Sequence, residues 1–515
     1  MTMFDTETIH QLANAIYQKG IPCSQGSGAG TVPVPPEPAA PPEPESRLPL
    51  PQEIVAAKPV GRPDMVCDAA PAYYFINPLP AASGQMPATP AQMQAPAEAV
   101  PSVGSQAATP GNSFQTVRQD FPVLRQRIHG KPLIWFDNAA TTQKPQAVID
   151  TLSRFYQESN SNVHRGAHTL SVKATNAYES AREKLQKMIG AALSEEIVFV
   201  RGTTEAINLV AQTYGRLHLG KGDEVLVSTM EHHSNIVPWQ LICEHTGASL
   251  HSIPITTQGE VVLAEYERLL SRRTRIVAIT HVSNVLGTIN PVRTMIEMAH
   301  RYGACAVVDG AQSIPHFKVD VRELDADFYA FSGHKMYGPT GIGVLYGKKA
   351  LLEEMPPWQG GGNMIQTVTF AGTTYNNLPH KFEAGTGNIA DAVGLGTAVD
   401  YLCKIGMVRI EQHERELTAY AMNCLGRIPG LHLIGTAPHK TSVISFVMKG
   451  LAAEDLAQYL DHEGIAVRAG HHCAQPLMQH YRLPGTVRVS VGLYNTKEEI
   501  TRLTEALLKI GKTHS

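Results

Sequence analysis

Residues 305–347 read CAVVDGAQSIPHFKVDVRELDADFYAFSGHKMYGPTGIGVLYG, and this stretch decides the fold. It holds three apolar runs, CAVVD (305–309), FYAFS (328–332) and GVLYG (343–347), separated by glycine-containing polar segments. Short, continuous apolar runs of this kind read as strands buried on both faces. Reactive side chains follow where two of them end. Asp309 closes the first run, where an unpaired carboxylate is costly; a protonated pyridine nitrogen would offset that cost, and so would a plain helix N-cap role. Lys335 lies just past the second run, between Ser332, His334 and several glycines. A Schiff-base lysine needs desolvation and a close backbone approach to a flat ring, which glycine permits, whereas the plainer reading is a turn lysine. Gln312 stands three residues after Asp309, within reach of the same ring's hydroxyl.

Working outward, the same alternation continues. IVFV (197–200), EVLVS (224–228) and RIVAIT (275–280) add strand candidates, with amphipathic segments such as 204–218 and 292–302 between them. This predicts a mainly parallel sheet covered by helices, with ligands at the carboxyl ends of the strands. Thr203 and Thr204 follow one strand and open a helix, a layout for an anion on backbone N–H groups or for an ordinary threonine cap. His232 and His233 follow another strand; one of them is placed to stack on an aromatic ring, and as a zinc pair they lack a third ligand nearby. Beyond about residue 400 the pattern becomes helix, short strands (SVISFVM, GIAVRAG, TVRVSVG) and helix, a smaller α+β domain. The domain expectation is therefore 113–400 for a large domain, with 113–135 packing on the small one, and 401–515 for the small domain.

Residues 1–112 differ in texture. Twenty of the 35 prolines fall in the first 110 residues, mixed with Ala, Gln, Ser and Gly. Too few aliphatic side chains are present to offset the entropy of ordering, so this region is expected to be disordered, apart from a possible short helix at 4–18 and apolar islands at 46–61 and 71–80. A net charge of −3 gives no basic field for nucleic acid or anionic membrane, and no apolar run is long enough to span a bilayer. Seven scattered cysteines suggest neither disulfide framework nor metal centre, and a reducing cytoplasm is the default setting.

Seven segments then occur in order: GTTEAIN, MEHHSNIVPW, THVSNVLGT, VDGAQS, FSGHKMYGPTGIG, FEAGTGN and RAGHHCAQPLM. Together they closely resemble the class V aminotransferase superfamily and, within it, the SUF-type cysteine desulfurases, over residues from about 114 to the C-terminus. The resemblance implies a pyridoxal 5'-phosphate enzyme of fold type I that converts L-cysteine to L-alanine and holds the sulfur as a persulfide. It implies that Lys335 bonds the cofactor and moves protons, Asp309 pairs with the ring nitrogen, His232 stacks on the ring, and Gln312 bonds its phenolic oxygen. Thr203, Thr204, Ser332 and His334 would hold the phosphate, with Thr386 supplied by the partner in a homodimer. Asn284, Arg488 and His164 would surround the substrate, and Cys473 would accept its sulfur, with His471, His472 and Arg468 as neighbours that bear on its thiolate. A separate SufE- or SufU-like sulfur acceptor is implied, and no metal. The family usually has proline where this chain has Gly387. The long proline-rich arm looks like those of desulfurases packaged in an encapsulin shell, so a nanocompartment is an expected location. Selenocysteine lyase, or another β-lyase of the same fold, is the alternative; it would keep Lys335, Asp309 and His232.

Overall fold

The structure, a computed structural model, describes residues 114–513. The expectations for residues 1–112 lie outside the described residues. Seven strands form the central sheet: β1 (Ile197–Val200), β2 (Glu224–Ser228), β3 (Ser249–Ile253), β4 (Thr274–Thr280), β5 (Cys305–Asp309), β6 (Phe328–Ser332) and β7 (Gly343–Gly347). Their spatial order is β1-β7-β6-β5-β4-β2-β3; β7 runs antiparallel to both neighbours and every other pairing is parallel.

Alternation along the strands builds two cores. In β5, Ala306 and Val308 join one buried cluster while Cys305 and Val307 join the other; in β6, Tyr329 and Phe331 face the first, and Phe328 and Ala330 the second. Each fully buried side chain of this size contributes roughly 1.5–3 kcal/mol of transfer free energy. Helices cover both faces, including α1 (Thr169–Met188), α2 (Thr203–Val210) and α3 (Ile389–Ile405), with α3 packed along α1. The edge strand β3, SLHSI, was not among the sequence's strand candidates. It is mostly solvent-facing, so it lacks the apolar run that marks the other six.

The second sheet is antiparallel, with β8 (Leu431–Ile434), β9 (Val443–Met448), β10 (Arg468–Gly470) and β11 (Thr486–Ser490) in the order β8-β9-β11-β10. Helices α4 (Met407–Leu425) and α6 (Lys497–Thr513) close its core, and α5 (Gln475–Tyr481) follows β10 after a short turn. Ile134 and Phe136 belong to this core, because Ile134–Trp135 pairs in parallel with Ile465–Ala466. From there the chain runs past Asp137, bridged to Ser490, and on to Ala139 and Ala140 at the mouth of the central sheet. No helix among the described residues is long and apolar enough to cross a membrane.

Candidate active site

The carboxyl ends of β1, β2, β4, β5 and β6 converge on a cavity of about 520 Å³. Thr203, Thr204, His232, Asn284, Asp309, Gln312, Ser332, His334, Lys335, Cys473 and Arg488 all line it. Eleven residues read from separate stretches of sequence are thus brought together. Thr386 and His164 are not: within their own chain Thr386 lines a different cavity, and His164 sits beside Glu179 and His380.

The anion cradle depends on a glycine. A Cβ on Gly343 would lie 2.5 Å from the Cα of Gly202 and 2.6 Å from the carbonyl oxygen of Phe331, so only glycine lets β7 carry β1 and β6 this close. That approach sets the start of α2 against Ser332, whose Oγ accepts from the backbone N–H of Thr203 at 2.9 Å and lies 2.8 Å from Thr203 Oγ1. Thr204 is exposed towards the cavity, and His334 is held neutral, its pKa pushed down to about 4 by burial and then by Lys335 and Lys144. Backbone N–H groups, hydroxyls and a helix N-terminus in one cradle suit a phosphate.

Asp309 is buried at the end of β5 and accepts from Ala311 N–H at 2.9 Å. Burial raises its pKa, and the nearby Lys335 charge opposes the rise only in part. A cationic ring nitrogen is the missing counter-charge that would make this carboxylate favourable. The Lys335 ammonium is pushed down to about 8, chiefly by desolvation, which raises the neutral, nucleophilic fraction near neutral pH. The Nδ1 of His232 accepts from Ser234 N–H at 3.1 Å, so the neutral ring carries its proton on Nε2; burial and then Lys335 hold its pKa down to about 3, which leaves an uncharged face for stacking. Gln312 donates from Nε2 to the Ala139 carbonyl at 2.6 Å, fixing the amide at the cavity wall. These residues fit a phosphorylated pyridine aldehyde: a phosphate cradle, a buried carboxylate that Lys335 compensates only in part, and an amine ready to condense.

Cys473 occupies the tight turn between β10 and α5, and is exposed. His472 and Cys473 both have positive φ, 53° and 55°, a conformation costing non-glycine residues of order 1–3 kcal/mol each unless the surroundings impose it. They do impose it. Asn284 Nδ2 donates to the His472 carbonyl at 2.8 Å, His233 N–H to the Cys473 carbonyl at 2.7 Å, and Gln475 N–H to His233 Nε2 at 3.0 Å. The turn is therefore tethered at several points. His472 is buried against Thr486 with its pKa lowered to about 3, so it brings no positive charge to the thiol.

Two buried acids have no role assigned from the sequence. Asp137 binds Arg488 Nη2 through Oδ1 at 3.1 Å and Arg468 Nη1 through Oδ2 at 3.1 Å, while Arg488 Nη1 donates to the Asn284 carbonyl at 2.9 Å. Arg488 is buried, and its Nε has no hydrogen-bond partner among the described residues. A forked cation fixed on one side, with a donor left over on another, has the chemistry to take a carboxylate. Glu231, beneath His232, accepts from Thr280 N–H at 3.0 Å and Asn235 Nδ2 at 2.7 Å, and receives the Ser228 hydroxyl. It ties β2 to β4 behind the cavity. The signal for Asp137 was an acid directly after the apolar LIWF; the signal for Glu231 was overshadowed by the two histidines after it.

A seven-stranded sheet of this order, with a lysine on the turn after β6 and an acid at the end of β5, is the fold of the type I pyridoxal-phosphate-dependent transferases. Residues 134–503 match the aminotransferase class-V family, and the chain belongs to that family. It is 57% identical over 400 residues to the cysteine desulfurase of Synechococcus elongatus, the match covering 78% of this chain and 64% of that protein. It is 52% identical over 397 residues to a probable cysteine desulfurase of Vibrio cholerae, covering 77% and 98%. Among solved structures, the cysteine desulfurase CsdA of Escherichia coli superposes with a TM-score of 0.73 at 40% identity, covering 78% of this chain and 100% of that one. The chain spans less than two thirds of the length of the cyanobacterial relative and of two mycobacterial ones, at 64%, 65% and 58%.

Proposed function

We propose that the protein is a pyridoxal-phosphate-dependent cysteine desulfurase that takes L-cysteine, releases L-alanine and carries the sulfur as a persulfide on Cys473. One observation carries this reading: Cys473 is tethered into the same cavity as Lys335, Asp309 and Arg488. A general transaminase needs no thiol there; a sulfur acceptor does.

Lys335 is the residue that holds the cofactor covalently, Asp309 the partner of its ring nitrogen, His232 its stacking face and Gln312 the donor to its phenolic oxygen. The cradle of Thr203, Thr204, Ser332 and His334 takes its phosphate. Bound pyridoxal phosphate supplies an electron sink for the bonds at the substrate's Cα. Arg488 binds the substrate carboxylate, oriented by Asp137. Lys335, released as a free amine, takes the Cα proton at Nζ. The Cys473 thiolate attacks the substrate sulfur: an S–S bond forms, the Cβ–S bond breaks, and its electron pair returns to the carbon skeleton, which is protonated to give alanine. The tethered turn keeps the nucleophile near its target, so little conformational entropy remains to be lost at that step.

The same reading assigns Thr386 to the partner's phosphate site in a homodimer and His164 to the approach to it. It takes residues 113–400 and 401–515 as large and small domains, a SufE- or SufU-like protein as sulfur acceptor in the cytoplasm, and residues 1–112 as an arm that docks on an encapsulin-type shell. Purified full-length protein should release alanine and sulfide from cysteine with thiol present, and should transfer one sulfur to Cys473 in its absence. Alanine release without any sulfur on the protein would contradict the reading.

A further inference from the structure

We propose that His164, Glu179 and His380 form a binding site for a borderline divalent metal ion, with Zn2+ as the fitting species, outside the cavity that Lys335 and Cys473 of the same chain line. One ligand atom from each of the three lies within 4.8 Å of the other two. The ligands come from three segments: the loop before α1, α1 itself and the short helical turn His380–Phe382. A tetrahedral zinc ion takes nitrogen and oxygen ligands at about 2.0–2.2 Å, so closing the cluster needs side-chain movements of the order of an ångström rather than a change of fold.

The groups around the cluster favour a cation there. His164 Nε2 lies 2.8 Å from Glu179 Oε1, and the rings of His164 and His380 are 4.6 Å apart. Buried nitrogens of both histidines, His164 Nδ1 and His380 Nδ1, have no hydrogen-bond partner among the described residues. An unsatisfied buried imidazole nitrogen costs free energy that coordination would recover. The charges around it also balance. Arg182 bonds both carboxylates in pairs: Glu179 through Nε to Oε2 at 2.8 Å and Nη2 to Oε1 at 3.3 Å, and Glu383 through Nη1 at 2.7 Å and Nη2 at 3.0 Å. The two carboxylates and one guanidinium of this cluster leave one negative charge for a bound cation to balance. A carboxylate shared between a metal and an arginine is an ordinary outer-shell arrangement. Two histidines and a glutamate with room for water make a donor set that zinc prefers over calcium or magnesium.

An ion here would staple the loop carrying His164 and the turn carrying His380 onto α1, two residues before Phe382 begins the lining of the cavity that Thr386 also lines. This inference does not depend on the desulfurase reading, because its test needs no turnover. Zn2+ is titrated calorimetrically into full-length protein carrying Cys473→Ser, which removes a competing thiol. The same titration is run with His380→Phe, which keeps the ring's volume, and with His380→Gln added. The expected result is one Zn2+ per chain in the parent, at least a hundredfold weaker binding in both His380 variants, and a zinc-dependent rise in melting temperature seen only in the parent. Anomalous diffraction from zinc-soaked crystals should place the ion between His164, Glu179 and His380. Equal zinc binding by the parent and either folded His380 variant, or an ion located only at other residues, would overturn the proposal.

Discussion

The side-chain amide of Asn284 donates to the carbonyl oxygen of His472 at 2.8 Å, clamping the strained turn that presents Cys473 to the loop after β4. The Asn284 carbonyl in turn accepts from Arg488, so the Cys473 turn and the buried Arg488 share one anchor.

Asn284→Ala is therefore expected to act on sulfur transfer more than on substrate affinity. Losing one buried hydrogen bond costs about 1 kcal/mol, or roughly five- to tenfold in rate if it falls on the transition state. Steady-state assays should show kcat falling by that factor with KM changed less than twofold. A raised KM with unchanged kcat would show instead that Asn284 acts directly on the substrate.

Asp137 is the common partner of Arg488 and Arg468. Asp137→Asn keeps the side chain's shape and removes the charge that fixes both guanidinium groups. Weakening charge-assisted hydrogen bonds of about 1.5–3 kcal/mol predicts a loss of roughly 10- to 150-fold in kcat/KM for cysteine, chiefly through KM. The cofactor's absorption spectrum should be unaltered. Unchanged kinetics would remove Asp137 from the substrate site.

The lowered pKa of Lys335 makes cofactor capture pH-dependent. The amine condenses only when neutral, and with a pKa of about 8 its reactive fraction climbs through pH 7–9 rather than near the ordinary 10.5. The rate at which apoprotein takes up pyridoxal phosphate into a borohydride-reducible bond should rise with pH to a plateau above about 9. Lys335→Ala should form no such bond. A rate still climbing steeply at pH 10, or reducible attachment at another lysine, would contradict the assignment.

Much of the site was legible because its residues sit at the ends of apolar strands. Asp309, Ser332, Lys335 and Thr203 each follow a run that can only be a buried strand, so their neighbourhood follows from the parallel topology. What escaped notice had no such marker. Strand β3 is an edge, and solvent on its exposed face removes the need for apolar residues there. Asp137 serves the site through partners more than 300 residues away in sequence, a relation that no local pattern carries. The tethering of the Cys473 turn rests on backbone carbonyls, whose partners composition does not reveal. The pairing of His164 with His380 required α1 to be packed first.

The central claim, that sulfur passes from cysteine to Cys473, has one direct measurement. Full-length enzyme is treated with cysteine without added thiol, digested under conditions that preserve persulfides, and examined by mass spectrometry, beside Cys473→Ser. The account predicts one extra sulfur on the peptide holding Cys473 in the wild type, none in the variant, and cofactor spectra alike in both. Extra sulfur on Cys243 or Cys305, or undiminished sulfide release by Cys473→Ser, would contradict it.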